Sequence, residues 1–264
     1  MRRAILAELI KLRRRSILIG AGAVIPLLTI VATVAVFARA GDGPPPTEQA
    51  EFKPSLAMLG AAGGMTRGFT AAASFLGLLV LIVFIASTTS EWSQGTARLL
   101  LTREPRRLQV FAGKAAALLV VTAAALLVAL FVSAITAYVM AAARGIPTNE
   151  WLTGDGLRDA AADWGRAALS LSCWGVLGIA VGTLIRSTTV AIAVAFAWFF
   201  PLEHIVQNAW AGAGRWFPGL LFEAVTSNGS TQTTFARALL LGGVVVAVIA
   251  SVAAVDLRRR DISA

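Results

Sequence analysis

Uncharged apolar runs of about twenty residues recur along this chain, and a run of that kind has few ways to fold other than as a helix across a bilayer. The hydrocarbon core is about 30 Å thick, which takes roughly 20 helical residues to cross. Inside it every backbone polar group must be satisfied within the segment, as a helix does. Ile17–Phe37, Phe69–Ser90, Ala115–Ala143, Ala167–Ile185 and Ala238–Val255 are such runs. A shorter one follows Arg186, from Ser187 to Phe200, and meets Pro201, which is expected to end it. Composition agrees: 57% of residues are hydrophobic and 14% charged, with a mean hydropathy of +0.76, whereas soluble domains carry about 25% charged residues. The predicted fold is therefore all-α, a polytopic six-helix transmembrane bundle occupying residues 1–264 as one domain. Its spans are expected near 17–37, 69–90, 115–143, 167–185, 187–201 and 238–255. Residues 202–235 mix Trp210, Trp216, Phe217 and Phe222 with glycines and a Thr226-Ser-Asn-Gly-Ser-Thr231 tract. Tryptophan favours the membrane interface, so this segment is read as short interfacial or re-entrant helices at the outer face.

Charge orients the bundle. Residues 1–15, 91–114, Arg186 and the tail after Val255 hold 15 of the 23 basic residues and five of the 14 acids. The loops on the other side hold eight basic residues and nine acids. The positive-inside rule puts the first set, and with it both termini, in the cytoplasm. The loops Gly41–Met65 and Ile146–Asp163 are then external, and the expected location is the cytoplasmic membrane. The first run could imitate a secretory signal, with Ala38-Arg39-Ala40 as a cleavage-like site. At 21 residues it is longer than the usual apolar region of 7–15, so it is read as a retained span. The net charge of +9 lies in short segments flanking the spans, where it sets orientation and meets anionic lipid. Nucleic acid is accordingly not an expected partner. Abundant alanine and arginine fit a GC-rich bacterial genome.

Chemistry is sparse. The only cysteine, Cys173, lies in an apolar run and has no partner for an intrachain disulfide. No zinc or iron ligand spacing occurs, so no metal and no catalytic residue is assigned. The only histidine, His204, follows Glu203 just beyond Pro201; simple hydration at the outer interface is the expected state of that pair, and of Glu223. Away from their ends the predicted spans carry no ionisable residue, which argues against proton-coupled transport. Gly113-Lys114 is followed by Ala115 without a glycine-rich phosphate loop, so the chain is not expected to bind or hydrolyse ATP itself.

The segment 91–114 is the most informative. Ser90 is placed to cap a helix whose first turn carries Glu91, a favourable site against the helix dipole. Trp92, Leu99, Leu100 and Leu101 give that helix an apolar side, and Pro105 stops it before Arg106-Arg107. Physical chemistry alone leaves two surfaces for it, a partner protein or the lipid. The order Glu91, Gly95-Thr96, Leu100, Pro105-Arg106 and Gly113-Lys114 after the second span resembles the signature of type-2 ABC exporter permeases. Glu8-Leu9 and Lys11-Leu12 before Arg13-Arg14-Arg15 are similar to that family's amphipathic N-terminal helix, and Gly178 to Ser187 to its tight turn between the fourth and fifth spans. The resemblance implies a permease subunit that pairs with a second permease, identical or different, and with separately encoded ATPase subunits that hold the ATP and magnesium. It also implies that Glu91, Gly95, Thr96, Arg98, Leu100, Pro105 and Arg106 couple the permease to its ATPase. The cargo would be a drug, lipid or other amphiphile. Thr29, Thr33 and Ser74 are named as lining its path, although small hydroxyl residues also pack helices in any bundle. The alternative function is a non-transporting scaffold or regulator of a larger membrane complex.

Overall fold

A computed structural model describes residues 15–41, 54–93, 107–210 and 212–259, with the side chains of 15–21, 107–111 and 258 excepted. The regular structure among these residues is helical. Helix α1 spans Arg15–Arg39, α2 Leu56–Gly60, α3 Arg67–Ser93, α4 Arg107–Arg144 and α5 Gly154–Ile185. Then come α6 (Thr188–Ala197), α7 (Glu203–Ala209), α8 (Pro218–Thr226) and α9 (Phe235–Arg259). Six stretches are long and apolar enough to cross a membrane: Gly22–Arg39, Ala62–Ser93, Ala112–Arg144, Gly154–Ile185, Thr188–Ala209 and Phe235–Leu257. The all-α, six-span expectation holds. One end of the bundle gathers Ser93, Arg107, Arg186 and Arg259 and is called the basic end; the other is the far end.

The centre is the pair α3 and α5. Between membrane helices small residues bring backbones together, because lipid offers no hydrophobic drive for association. Gly175 and Gly178 of α5 lie against Phe84 and Leu81 of α3, and Gly77 of α3 lies under Trp174. A Cβ on Gly178 would sit 2.8 Å from the backbone oxygen of Leu81, so this is backbone against backbone. Helix α1 packs on the α3 side, α8 and α9 on the α5 side, and α4 against both. The apolar residues left outside form stripes. On α9 these are Leu240, Val244, Val248 and Val252, four residues apart on one helix face; on α4 they include Val128, Phe131, Ile135 and Val139. Such stripes suit acyl chains.

At the far end Trp151 is fully buried against Phe37 and Tyr138, with its indole N–H donated to the Leu59 carbonyl at 2.9 Å. Arg144, in the last turn of α4, donates to the carbonyls of Phe37 and Ala40 and so supplies the orphan acceptors where α1 ends. Helix α5 starts 13 residues before the predicted span at 167, so much of the loop expected at 146–163 is helical. Thr153 caps it, its hydroxyl accepting from Gly156 N–H at 3.2 Å.

The fifth span differs from expectation at its end. Pro201 does not stop the helix but sits within one π-helical turn, Trp198–Leu202, that joins α6 to α7. Proline lacks an N–H and crowds the carbonyl four residues earlier. The wider turn shifts bonding by one residue, with Glu203 N–H reaching the Trp198 carbonyl, and the helix continues to Ala209.

Candidate functional site

The polar contacts of the basic end gather at the two helix ends that flank the chain segment 94–106. Lys114, about two turns past the described start of α4, is 3% exposed. Its ammonium donates to the Ser87 carbonyl at 2.7 Å and pairs with Glu91 Oε1 at 2.9 Å. A lysine at a membrane boundary usually extends towards water; this one is turned inward and ties the end of α3 to the start of α4. A second tie runs through Arg186, which ends α5 in the left-handed conformation at φ 59°. That conformation costs a non-glycine residue about 1–2 kcal/mol. It aims the guanidinium over the Trp92 ring, 4.2 Å from the centroid, and brings it to 3.9 Å from Asp256 on α9. A third tie is Thr89 to Thr188, hydroxyl to hydroxyl at 2.7 Å, linking α3 to α6. The end of α3 is thus tied directly to α4, α5 and α6, and through Arg186 to α9, just where the chain leaves for residues 94–106.

Two sequence expectations change here. Glu91 does not open a new helix; it lies in the last turn of α3, which runs to Ser93. A carboxylate there opposes the helix dipole, and Lys114 offsets this. Trp92 does not contribute to an apolar docking face but lies under Arg186. Gly95, Thr96, Arg98, Leu100, Pro105 and Arg106 fall outside the described residues. The Gly178–Ser187 stretch turns only at Arg186 and Ser187; Gly178 and Gly182 belong to the α3–α5 contact.

The residues named for a cargo path take part in helix packing in this chain. Thr29 and Thr33 are fully buried, and Thr33 hydrogen-bonds the Thr29 carbonyl at 2.8 Å and Ser133 Oγ at 3.0 Å. A Cβ at Gly68 would collide with Thr33, so these hydroxyls pack α1 against α3 and α4. Ser74 bonds the Thr70 carbonyl at 3.4 Å within α3.

The expectation that the spans lack internal ionisable groups is also corrected, because the fifth span reaches past Glu203. That side chain is fully buried. Its Oε2 accepts from Leu220 N–H at 3.1 Å and its Oε1 from Trp198 Nε1 at 3.0 Å. Leu220 is the third residue of α8, so the carboxylate serves as a cap supplied from another helix. Gly219 leaves room for it, since a Cβ there would lie 2.5 Å from Oε2. Neighbouring His204 faces Glu223 at 3.5 Å. Hydration was the wrong expectation for Glu203: the sequence places it beyond Pro201, and only the π turn brings it inward. Asp163 is likewise buried, bonded to Thr66 and Arg166 across the far end of α5. Among the described residues no three His, Cys, Asp or Glu side chains gather in metal-binding geometry.

Glu203→Ala would leave the Leu220 and Trp198 N–H groups without an acceptor, and a bond to a charged group is worth about 1.5–3 kcal/mol. A lowered unfolding midpoint in detergent is expected, with partial recovery in Glu203→Gln; an unchanged midpoint for the alanine variant would show that the cap contributes nothing.

These features define a multi-pass helical membrane protein whose polar contacts concentrate at the two ends of its bundle. The profile of a family described as "Protein of unknown function (DUF2705)" matches residues 48–263, and the chain belongs to that family. Comparison with curated proteins finds no match, and neither does comparison with solved structures.

Proposed function

We propose that the chain is the membrane-spanning permease subunit of an ATP-driven exporter, with its basic end in the cytoplasm and its energy supplied by a separate ATPase. The observation that carries this reading is the clamp formed by Lys114, Glu91 and Ser87. It holds together the two helices that deliver residues 94–106, while Arg186 and Thr89 link the same turn of α3 to α9 and α6. A push on residues 94–106 would reach four spans through short contacts, as coupling through a rigid element requires. The same segment carries the Gly95-Thr96 to Pro105-Arg106 order that resembles the type-2 ABC permeases.

The test is co-purification from native membrane. A nucleotide-binding ATPase is expected with the wild-type chain and depleted with Gly95→Leu, because a bulky side chain blocks close approach. Equal recovery in both, or robust ATP turnover by the isolated chain, would refute the reading. Orientation has its own check. Ser93 and Asn149 are both exposed, and a cysteine at the first is expected to react only from the cytoplasm and one at the second only from outside.

A further inference from the structure

The basic end also holds a cavity that none of these contacts uses. Helices α4, α5 and α9 part around about 180 Å³ of space. Its wall is apolar, made chiefly by Ala112 and Ala115 of α4, Ile179 and Ala180 of α5, and Ala253 and Leu257 of α9. The one hydroxyl on it, Thr183, is already spent on the Ile179 carbonyl at 2.7 Å. Alanine is what leaves the space, because a longer side chain at any of these positions would enter it. Water is a poor occupant, since a stable site needs two to four polar partners. A partner helix is too wide, at about 10 Å in diameter. An acyl chain is both apolar and narrow.

The surroundings supply the rest. Ala112 is exposed, so the cavity opens at its α4 lip. It lies five residues, about 7.5 Å, beyond the Arg107 start of α4. On the opposite wall Leu257 comes two residues before exposed Arg259. The space therefore lies within about two and a half turns of the helix ends, just below headgroup level, between the start of α4 and the Arg259 end of α9. Lys114 and Arg186 are turned to Glu91 and Asp256, whereas Arg259, two residues past Leu257, is exposed where a ligand's charge would sit.

We propose that this crevice binds one acyl chain of an anionic phospholipid from the leaflet at the basic end, with the headgroup phosphate beside the exposed Arg259 at the end of α9. The inference needs only the bundle and its basic end, and stands apart from the transport reading. The test is native mass spectrometry of the full chain in detergent with added phosphatidylglycerol or phosphatidylcholine. One phosphatidylglycerol per chain is expected, held about fivefold more tightly than phosphatidylcholine. Ala180→Leu and Ala253→Leu fill the space and are expected to weaken binding about tenfold; Ala247→Leu, on the exposed side of α9, should not. Ala112→Leu, on the open lip, replaces any filled variant that does not elute as a single species. Undiminished binding in the filled variants, equal binding of the two lipids, or no stoichiometric lipid on the wild type would each overturn the proposal.

Discussion

Lys114→Met is expected to destabilise the bundle by about 3–5 kcal/mol, the usual cost of removing one partner of a buried ion pair. The lysine side chain is 4% exposed and that of Glu91 17%, so water reaches the carboxylate poorly once the ammonium is gone. The Ser87 carbonyl also loses one of its donors. Removing both charges is a different matter, because an apolar pair of similar volume often replaces a buried ion pair at little cost. The double variant Lys114→Met/Glu91→Leu should therefore recover most of the loss, and neither single variant should. Unfolding midpoints in one detergent measure all three against wild type. If Lys114→Met matches wild type, the clamp does not hold α3 to α4, and the mechanical argument for residues 94–106 fails with it.

Gly178→Ala is expected to cost about 1–3 kcal/mol, the range for overpacking a close contact, and Gly178→Leu to abolish recovery of monodisperse protein. The added Cβ meets the Leu81 backbone oxygen at 2.8 Å and the Phe84 Cβ at 2.9 Å; the first cannot move without shifting α3. Gly165, on the same helix, is the matched control: its Cβ would meet nothing within 4 Å. There the alanine should stabilise by about 0.5–1 kcal/mol through lower backbone entropy in the unfolded chain. Opposite signs for two Gly→Ala changes on one helix isolate contact from propensity. A stabilising Gly178→Ala would mean that α3 and α5 make no backbone contact at Leu81.

The number of spans and their order were legible because lipid imposes one length and one polarity on every span, and both are local properties of sequence. What sequence did not yield depends on turns and on partners distant in the chain. Pro201 was read as a terminator because its local effect is to break an α-helix; whether a π turn absorbs it depends on the helix continuing to α7. That single misreading also hid Glu203, since a carboxylate judged to lie beyond a span is expected to be wet. Thr29 and Thr33 were candidates for a path on residue type, yet Ser133 is one hundred residues from Thr33, and no local pattern reports such a bond. Lys114 and Arg186 were read as orientation charges; their pairing with Glu91, Trp92 and Asp256 arises from the meeting of four helix ends.

The π turn at Trp198–Leu202 also fixes a rotational phase. It holds one residue more than an α-helical turn would use for the same advance, and each residue of an α-helix rotates the chain by about 100°. Were one residue deleted there and the span to close up as uninterrupted α-helix, everything beyond would swing by that angle. Glu203 would leave Leu220, and His204 would leave Glu223. The span would still cross the bilayer, equally long and equally apolar, but α8 would find no carboxylate at its start. Hydropathy would record such a deletion as silent, although it would cut the fifth span off from the helix it holds in place.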